Sequence, residues 1–473
     1  MKNENDIVIL PFNSAKINGK YLVSNMMGCW DALTPAEFRQ LNALRLKSSD
    51  ALAQRLRTRG IVVDQSNIAD VITGFRSLNA NLFTDTSLHI AVLTKRCNLR
   101  CSYCQAEGGT LSQDMTIEVA GRVLKYLFDV ANPSVVLEFQ GGEPVLNWPV
   151  LELLVVNARK FNTLGKKLQL VLVTNLMLLD DKKMAFLAKH DVDVCSSLDG
   201  PKDIHDRNRV DIEGRGTYSE VVARIRRFKD KFGRKVTLLP TITKHSLAHP
   251  ERIIDEYVSL GQEEISLRPA NCMGSARCSW RDIGVTPEEF CDFYQRGFEH
   301  IIKINRQGRH LSERVARVIL TKVLAKRDPG YVDMMSPCGA GRSTMVYMPD
   351  GSAYPCDEAR MLGEEMFKLG NIVNEEFDAI LNKENLLNLL QASCVNLWHY
   401  SSVFSPWMGY CPVVNYAEQK NIVPKTACSS MQKIQAFQYE HIFSRLIEGG
   451  DQADIFNRWT EGKRYGAQEK KTS

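Results

Sequence analysis

The feature that most constrains the fold is an alternation of short apolar segments with amphipathic stretches, which begins near Leu88. In the stretch 117–128, Val119, Val123 and Leu127 recur every four residues, as on one side of a helix. Apolar segments of strand length separated in this way predict parallel strands joined by helical crossovers, and therefore an α/β fold. The predicted strands are residues 88–93, 135–139, 168–173, 192–196, 236–242 and 265–267.

Three cysteines, Cys97, Cys101 and Cys104, follow the first of these segments with the spacing C-x3-C-x2-C. Cysteine thiolates are the usual ligands of a four-iron cluster, and three of them leave the fourth iron open to a small molecule. A structural zinc site is the alternative. Zinc normally takes four ligands, often as two separated pairs, and the next cysteine is Cys195. The spacing therefore favours a [4Fe-4S] cluster with an open iron site.

Together with Tyr103, this motif resembles the signature of the radical S-adenosylmethionine (SAM) superfamily. The resemblance implies an open, partial (β/α)6 TIM-like barrel whose active groups lie at the carboxyl ends of the strands. It also implies that SAM binds the open iron and is cleaved to a 5′-deoxyadenosyl radical, which abstracts a hydrogen atom. Tyr103 is then expected beside the adenine.

Further motifs follow the later strands and resemble the SAM site of the same family. Gln140, Gly142 and Glu143 belong to a Gly-Gly-Glu-Pro motif, where glycine permits a close backbone approach and the carboxylate can accept from an ammonium group. Ser197 and Arg209 have the spacing of a serine that contacts the ribose and an arginine that pairs with the SAM carboxylate. Standing alone, the glycine pair would be only a turn.

Other residues of this region have structural explanations. Residues 199–201 are typical of a turn, and we expect His205 to be a capping or core histidine. Cys272 and Cys278 follow the last predicted strand and match no family ligand, although they lie near the expected site mouth. The remaining isolated cysteines have apolar neighbours and are expected in the core: Cys29, Cys195 and Cys291.

A second cysteine-rich region resembles the SPASM domain, which holds auxiliary iron–sulfur clusters. Cys338, Gly351 and Cys356 have its opening spacing, and Cys411 and Cys428 resemble its last two ligands. The family's C-x2-C-x5-C run is missing after Cys394. We therefore expect one auxiliary cluster, on Cys338, Cys356, Cys411 and a fourth ligand that stays open. A degenerate domain without metal is the alternative.

Asp357 directly follows Cys356, where sulfatase maturases carry a catalytic aspartate base. A carboxylate beside a cluster can take the proton that leaves a side chain undergoing oxidation. The alternative is that Asp357 makes structural hydrogen bonds around the cluster loop.

Residues 333–369 resemble the maturase of the His-Xaa-Ser peptide system, for example in Asp357-Glu358-Ala359-Arg360. This resemblance implies post-translational modification of a precursor peptide or protein made by the ribosome, with an electron donor such as flavodoxin or ferredoxin. A sulfatase-maturase-like oxidase of a serine or cysteine side chain is the rival enzyme. A non-catalytic iron–sulfur scaffold that binds a peptide is the rival outside enzymes.

The first 85 residues are predicted to form a small separate domain. Residues 7–10 and 21–24 are expected to be strands, with Asn18-Gly19 as a hairpin turn between them. A capping box begins at Thr34, and a helix over residues 49–59 stops at Gly60. This pattern resembles the winged-helix-like domains that recognise leader peptides. A plain packing extension is the alternative.

The expected organisation is a recognition domain (1–85), the barrel (86–300), a helical linker (301–335), the SPASM-like domain (336–435), and a C-terminal helix with a polar tail (436–473). The 473 residues are long enough for several domains. A net charge of +5 gives no case for nucleic acid, and no signal peptide or membrane-spanning run is apparent. Thirteen clustered cysteines suit reduced thiolates that hold metal in the cytoplasm.

Overall fold

The computed structural model describes residues 7–44, 46–106, 112–394, 400–423 and 429–460. The strands are β1 (Val8–Ile9), β2 (Phe12–Ile17), β3 (Lys20–Asn25), β4 (Trp30–Leu33), β5 (Val62–Val63), β6 (Leu88–Val92), β7 (Ser134–Gln140), β8 (Lys167–Val173), β9 (Val192–Ser197), β10 (Val236–Leu239), β11 (Glu264–Ile265), β12 (Ser312–Glu313), β13 (Thr344–Tyr347), β14 (Ser352–Tyr354) and β15 (Gly370–Asn371).

The α-helices are α1 (Pro35–Asn42), α2 (Ala51–Arg59), α3 (Ile68–Leu78), α4 (Ile117–Asp129), α5 (Trp148–Phe161), α6 (Asp181–Lys189), α7 (Lys202–Asn208), α8 (Tyr218–Phe232), α9 (Pro250–Ser259), α10 (Ala276–Ile283), α11 (Pro287–Arg306), α12 (Arg314–Leu324), α13 (Asp357–Leu362), α14 (Phe377–Leu381), α15 (Glu384–Cys394), α16 (Pro412–Gln419), α17 (Ser430–Glu448) and α18 (Gln452–Thr460). Short 3-10 helices span Ala80–Phe83, Pro144–Asn147, Val332–Met334 and Glu365–Phe367.

A central parallel sheet confirms the predicted barrel. Strands β6 to β10 lie side by side in chain order, and helices cross between them. The sixth predicted strand continues this arrangement only loosely. Its start, β11, pairs with β12 in a separate two-stranded sheet, and beyond it Pro269 forms a parallel bridge with Ile242. The barrel is therefore partial and open, as expected.

The C-terminal cysteine-rich region shares the barrel's sheet, which the sequence did not predict. Strand β13 pairs in parallel with β6, with Thr344 opposite Leu88, and β14 and β15 extend the sheet antiparallel. Gly351, at φ +84°, makes the tight turn between β13 and β14. Residues near Cys338 and Cys356 are thus attached rigidly to the first barrel strand.

The N-terminal hairpin is formed by a different pair of strands from the pair predicted. Asn18-Gly19 does form a two-residue turn, but it joins β2 to β3, with Ile17 opposite Lys20. The expected strand at residues 7–10 instead pairs with β5, because Pro11 separates it from β2 and the turn pairs only the residues that flank it. The capping box at Thr34 and the helix stop at Gly60 are confirmed.

The N-terminal sheet packs on the C-terminal end of the chain. The Asn13 amide donates to the carbonyl oxygens of Tyr400 (2.6 Å) and Ser402 (3.0 Å), and Asn18 donates to Glu448 at 2.9 Å. On its outer side β2 is an edge strand of the β2–β3–β4 sheet, and the side chains of Ser14 and Lys16 there are exposed. This layer is therefore docked on the rest of the protein, and no strand among the described residues pairs with the outer edge of β2.

Alternation along the barrel strands decides which side chains face its interior. Glu138 and Gln140 are half-buried on β7, between the fully buried side chains of the opposite face. Cys195 has the same half-buried setting on β9, and Glu138 acts on it electrostatically, so the expectation of a purely apolar core position was wrong. No helix in the described ranges is long and apolar enough to span a membrane.

Candidate active site at the carboxyl ends of the barrel strands

The loop that carries Cys97, Cys101 and Cys104 follows β6 and is held by backbone hydrogen bonds from two sides. Ser102 N–H donates to the carbonyl of Asn208 at 2.9 Å, and Ala276 N–H donates to the carbonyl of Cys104 at 2.9 Å. The thiols are free and half-buried, and they act on one another electrostatically. Burial raises the pKa of Cys101 to about 12, and the nearby Arg209 charge opposes this shift.

The Gly-Gly-Glu loop after β7 is interlocked with the start of the cysteine loop. Gly142 N–H donates to the carbonyl of Thr94 and Glu143 N–H to that of Arg96, both at 2.8 Å. A Cβ atom at Gly142 would lie 2.3 Å from the Arg96 carbonyl oxygen and 3.0 Å from the Cβ of Cys97. Glycine is therefore required for this close approach of the two backbones.

The Glu143 carboxylate links the ends of β7 and β8. It is fully buried and accepts hydrogen bonds from Val145 N–H (3.1 Å), Thr174 Oγ1 (2.7 Å) and Asn175 N–H (2.8 Å). A carboxylate has about four acceptor sites, so one remains for an outside donor. These three hydrogen bonds give Glu143 a structural role in addition to any contact with a ligand.

Tyr103, Asp199 and Arg209 form one buried network. The Tyr103 hydroxyl donates to Asp199 Oδ1 at 2.9 Å, and Arg209 Nη1 donates to the Tyr103 oxygen at 2.7 Å. Burial raises the pKa of Asp199, an effect that the Arg209 charge opposes. The Arg209 Nε is buried and has no hydrogen-bond partner among the described residues. That free donor beside the cysteine loop fits an anionic group such as a carboxylate.

Asp199 is a site residue that the sequence assigned only to a turn. Besides Tyr103 it accepts from Thr241 N–H at 3.1 Å and from the Asn208 amide at 3.3 Å. His205 has the expected structural place: its Nδ1 lies 3.3 Å from the Asp199 backbone nitrogen. The sequence feature that could have identified Asp199 is its place two positions after Ser197, just beyond the end of a predicted strand.

Two polar side chains face the barrel interior from the strands. Ser197 is half-buried at the end of β9, opposite Leu239. Gln140 donates to Glu138 at 2.6 Å and accepts from Arg360 at 2.6 Å. Gln140 thus lies between the barrel strands and the C-terminal region.

Asp357 reaches the same interior from α13. Arg360, almost fully buried, bridges its carboxylate to Gln140, with a Nε–Oδ1 distance of 2.6 Å to Asp357. Arg360, three residues after Asp357 on the same short helix, was not predicted as a site residue. Burial raises the pKa of the neighbouring Glu138 to about 7. Acidic and basic groups from β7 and α13 therefore converge in the barrel interior.

Cys338, Cys356 and Cys411 line a cavity in the C-terminal region. Asp333 and Glu358 line it as well. Cys356 and Cys411 are the N-cap residues of α13 and α16, and the Cys411 thiol accepts from Val414 N–H at 3.5 Å, whereas the Cys356 side chain makes no cap hydrogen bond. No three His, Cys, Asp or Glu side chains in the described ranges converge closely enough for a single metal ion. Thiols spread around a cavity are the arrangement that a multi-iron cluster requires.

The remaining cysteines fall outside these two groups. Cys272, Cys278 and Cys394 are exposed, while Cys29 is buried. Cys428 lies outside the described residues, as do residues 395–399 of the stretch where the family's cysteine run is missing.

Two family models match the chain. The first describes the radical SAM superfamily and matches residues 91–257; the second describes an iron–sulfur cluster-binding domain, SPASM, and matches residues 338–402. The two matched ranges contain all of the cysteines of both sites except Cys411 and Cys428.

Curated relatives are similar over much of the chain. The cysteine-type anaerobic sulfatase-maturating enzyme of Clostridium perfringens is 28% identical over 317 residues, which cover 63% of this chain and 81% of that enzyme. The antilisterial bacteriocin subtilosin biosynthesis protein AlbA of Bacillus subtilis is 27% identical over 327 residues, 67% of this chain and 65% of that protein.

Solved structures share the fold. Native anSMEcpe with bound AdoMet and Cp18Cys peptide matches with a TM-score of 0.67 at 24% identity, over 79% of this chain and 99% of that one. Streptococcus suis SuiB bound to precursor peptide SuiA matches with a TM-score of 0.55 at 13% identity, over 88% and 98%.

Proposed function

We propose that this chain, an enzyme with a radical SAM domain and a SPASM domain, is a peptide maturase of the His-Xaa-Ser type that modifies a ribosomally made precursor. One observation carries the assignment of the SAM site: three thiols lie beside the interlocked Gly142 backbone and near Arg209, whose Nε has no hydrogen-bond partner among the described residues. With its cofactors bound, such a site supplies a 5′-deoxyadenosyl radical for hydrogen abstraction.

The residues divide this work among them. Cys97, Cys101 and Cys104 would hold the cluster, and Arg209 would donate to the SAM carboxylate. Tyr103 would pack at the adenine, with its ring orientation fixed by Asp199. By resemblance to the family, four further residues would complete the SAM site: Gln140, Gly142, Glu143 and Ser197. The protein's part is to orient one substrate C–H bond toward the radical and to exclude competing reactions.

The test of substrate class uses anaerobically reconstituted enzyme, SAM and a reductant. We expect SAM-dependent mass change in a precursor peptide with His-Xaa-Ser motifs, and none when those motifs are scrambled in a peptide of the same composition. Equal modification of both peptides would exclude this specificity. Flavodoxin or ferredoxin should replace the chemical reductant, since the cluster needs a one-electron donor.

A sulfatase-maturase-like activity is the second candidate, and the Asp357–Arg360–Gln140 network favours it. A carboxylate held at the barrel interior can accept the proton released when a serine or cysteine side chain is oxidised. Asp357→Asn keeps the shape and removes the base. We expect this variant to cleave SAM normally and to lose product from a serine or cysteine peptide. Normal product formation with an unchanged cluster spectrum would exclude the base role.

We further propose that residues 1–85 recognise the precursor through the outer edge of β2. An edge strand has unpaired backbone groups to which an extended peptide can add. In a hairpin with a two-residue turn, Ile17 and Lys20 form a hydrogen-bonded pair, so by alternation Ser14 N–H points to the free edge. The exposed side chain of Ser14 supports an accessible edge.

Two substitutions at one position test this edge. Ser14→Pro removes the outward N–H without breaking a hairpin hydrogen bond, whereas Ser14→Ala keeps it. We expect Ser14→Pro alone to weaken precursor binding, with uncoupled SAM cleavage unchanged in both variants. Equal precursor affinity of the proline and alanine variants would contradict recognition at this edge. Truncation is a poorer test, because Asn13 and Asn18 anchor this layer to the C-terminal region.

A further inference from the structure

The cavity lined by Cys338, Cys356 and Cys411 offers three thiolates to a cluster that has four irons. The three side chains approach from separate stretches of chain, and each acts electrostatically on the others. The family's cysteine run is absent from the chain, so cysteine is not available there to complete the set. A four-iron cluster in this cavity would therefore have one iron that still needs a ligand.

Glu358 is the carboxylate that meets this need. It lines the cavity, and it is a close electrostatic neighbour of all three thiols. Its carboxylate accepts a hydrogen bond from its own backbone N–H, but no described side chain donates to it or forms an ion pair with it. The cavity's other carboxylate, Asp333, accepts a hydrogen bond from Tyr331, and the adjacent Asp357 is paired with Arg360.

A carboxylate partly removed from water without a salt-bridge partner keeps lone pairs that a metal can take, and ligation offsets the cost of its burial. Glu358 is placed by the same short helix that Cys356 caps, so thiol and carboxylate enter the cavity from one rigid turn. We propose that Glu358 is the fourth ligand of the auxiliary cluster. This inference rests on the proposed function, because it assumes that the cavity holds a four-iron cluster.

Oxygen is a harder ligand than thiolate, so the iron bound to Glu358 should be the most easily lost of the four. Cys428, which resembles the last SPASM ligand, is the competing candidate. The two ligands make opposite predictions for single substitutions.

The experiment uses the Cys97→Ala, Cys101→Ala, Cys104→Ala protein, in which all remaining iron belongs to the auxiliary site. Glu358→Gln and Cys428→Ala are added separately, with Glu365→Gln, an exposed acid of the same segment, as the control. Iron per chain and the electron paramagnetic resonance spectrum of the reduced protein are measured. The parent should hold about four irons.

We expect Glu358→Gln to lower the iron content to about three per chain, the loss of one iron from a cubane, and to change the spectrum. Cys428→Ala and Glu365→Gln should change neither. An unchanged spectrum and iron content in Glu358→Gln would overturn the proposal, and loss of the cluster in Cys428→Ala alone would assign the ligand to that cysteine.

Glu358→Cys keeps the test decisive if Glu358→Gln loses all of its iron. A cysteine at this position should retain about four irons with a shifted spectrum, because thiolate replaces oxygen at one iron. A Glu358→Cys protein without iron would count against ligation at this position. A parent protein without iron would instead refute the auxiliary cluster itself, which separates failure of the proposed cofactor from failure of its ligand.

Discussion

Substitution of Gly142 by alanine tests how the Gly-Gly-Glu loop supports the cysteine loop. The added methyl would lie 2.3 Å from the Arg96 carbonyl oxygen, whereas ordinary van der Waals contact begins at 3.4 Å, so the two backbones must separate by about 1 Å. That carbonyl also accepts the Glu143 N–H bond at 2.8 Å, which the movement would break.

The expected cost combines two terms. Overpacking costs about 1–3 kcal/mol, and a buried N–H that loses its partner costs about 1–3 kcal/mol. Because Arg96 directly precedes Cys97, the same movement displaces the first thiol. A displacement of about 1 Å at a reacting centre lowers the rate by roughly 100-fold. We therefore expect Gly142→Ala to fold with reduced stability and to cleave SAM about 100-fold more slowly.

Gly121→Ala is the matched control. Gly121 is exposed in the middle of α4, and a Cβ atom there would meet nothing within 4 Å. Alanine should stabilise this helix by about 0.5–1 kcal/mol and leave activity unchanged. The assay is 5′-deoxyadenosine formation by reconstituted protein under a reductant, with iron content and thermal unfolding measured in parallel. A Gly142→Ala protein that forms 5′-deoxyadenosine at the wild-type rate would refute the interlocked-loop reasoning.

Three further outcomes follow from the site. Arg209→Lys should raise the KM for SAM by about 10- to 100-fold, because charge-assisted hydrogen bonds contribute about 1.5–3 kcal/mol, while Arg207→Lys, at an exposed position, should not; equal KM values would exclude the carboxylate contact. Burial raises the pKa of Glu138 to about 7 in the folded protein, so up to that pH the folded protein holds more protons than the unfolded chain. The stability of the wild type should therefore fall as the pH rises from 5 to 8. Glu138→Gln should reduce this loss of thermal stability. If the thermal stability of wild type and of Glu138→Gln fell equally as the pH rose, the raised pKa of Glu138 would be contradicted. Reconstituted wild type should contain about eight irons, and a reproducible value near twelve would show a third cluster.

The barrel was predictable because its pattern is local. Each strand is a short apolar run, and helix periodicity lies between the runs, so the order of β6 to β10 follows from neighbouring residues alone. The capping box at Thr34 and the turn at Asn18-Gly19 are local for the same reason. The pairing of β13 with β6 joins residues more than 250 positions apart, and no periodicity encodes such a partner.

The site was predictable only as far as motifs extend. The motif-bearing loops do meet at the carboxyl ends of the strands, because parallel strands place those ends at one edge. The network around Asp199 and the bridge through Arg360 depend on side-chain contacts that residue spacing does not contain. The mistaken setting of Cys195 has a related cause: its chain neighbours are apolar, while its interior neighbours come from other strands.

The central claim is that Cys97, Cys101 and Cys104 hold the cluster that cleaves SAM. Its direct test compares wild type with the Cys97→Ala, Cys101→Ala, Cys104→Ala protein after anaerobic reconstitution, and uses Cys272→Ala, Cys278→Ala as a control for loss of nearby exposed thiols. We predict that the triple variant forms no 5′-deoxyadenosine and loses about four irons per chain, while the control keeps both. A triple variant that forms 5′-deoxyadenosine at the wild-type rate would contradict the assignment.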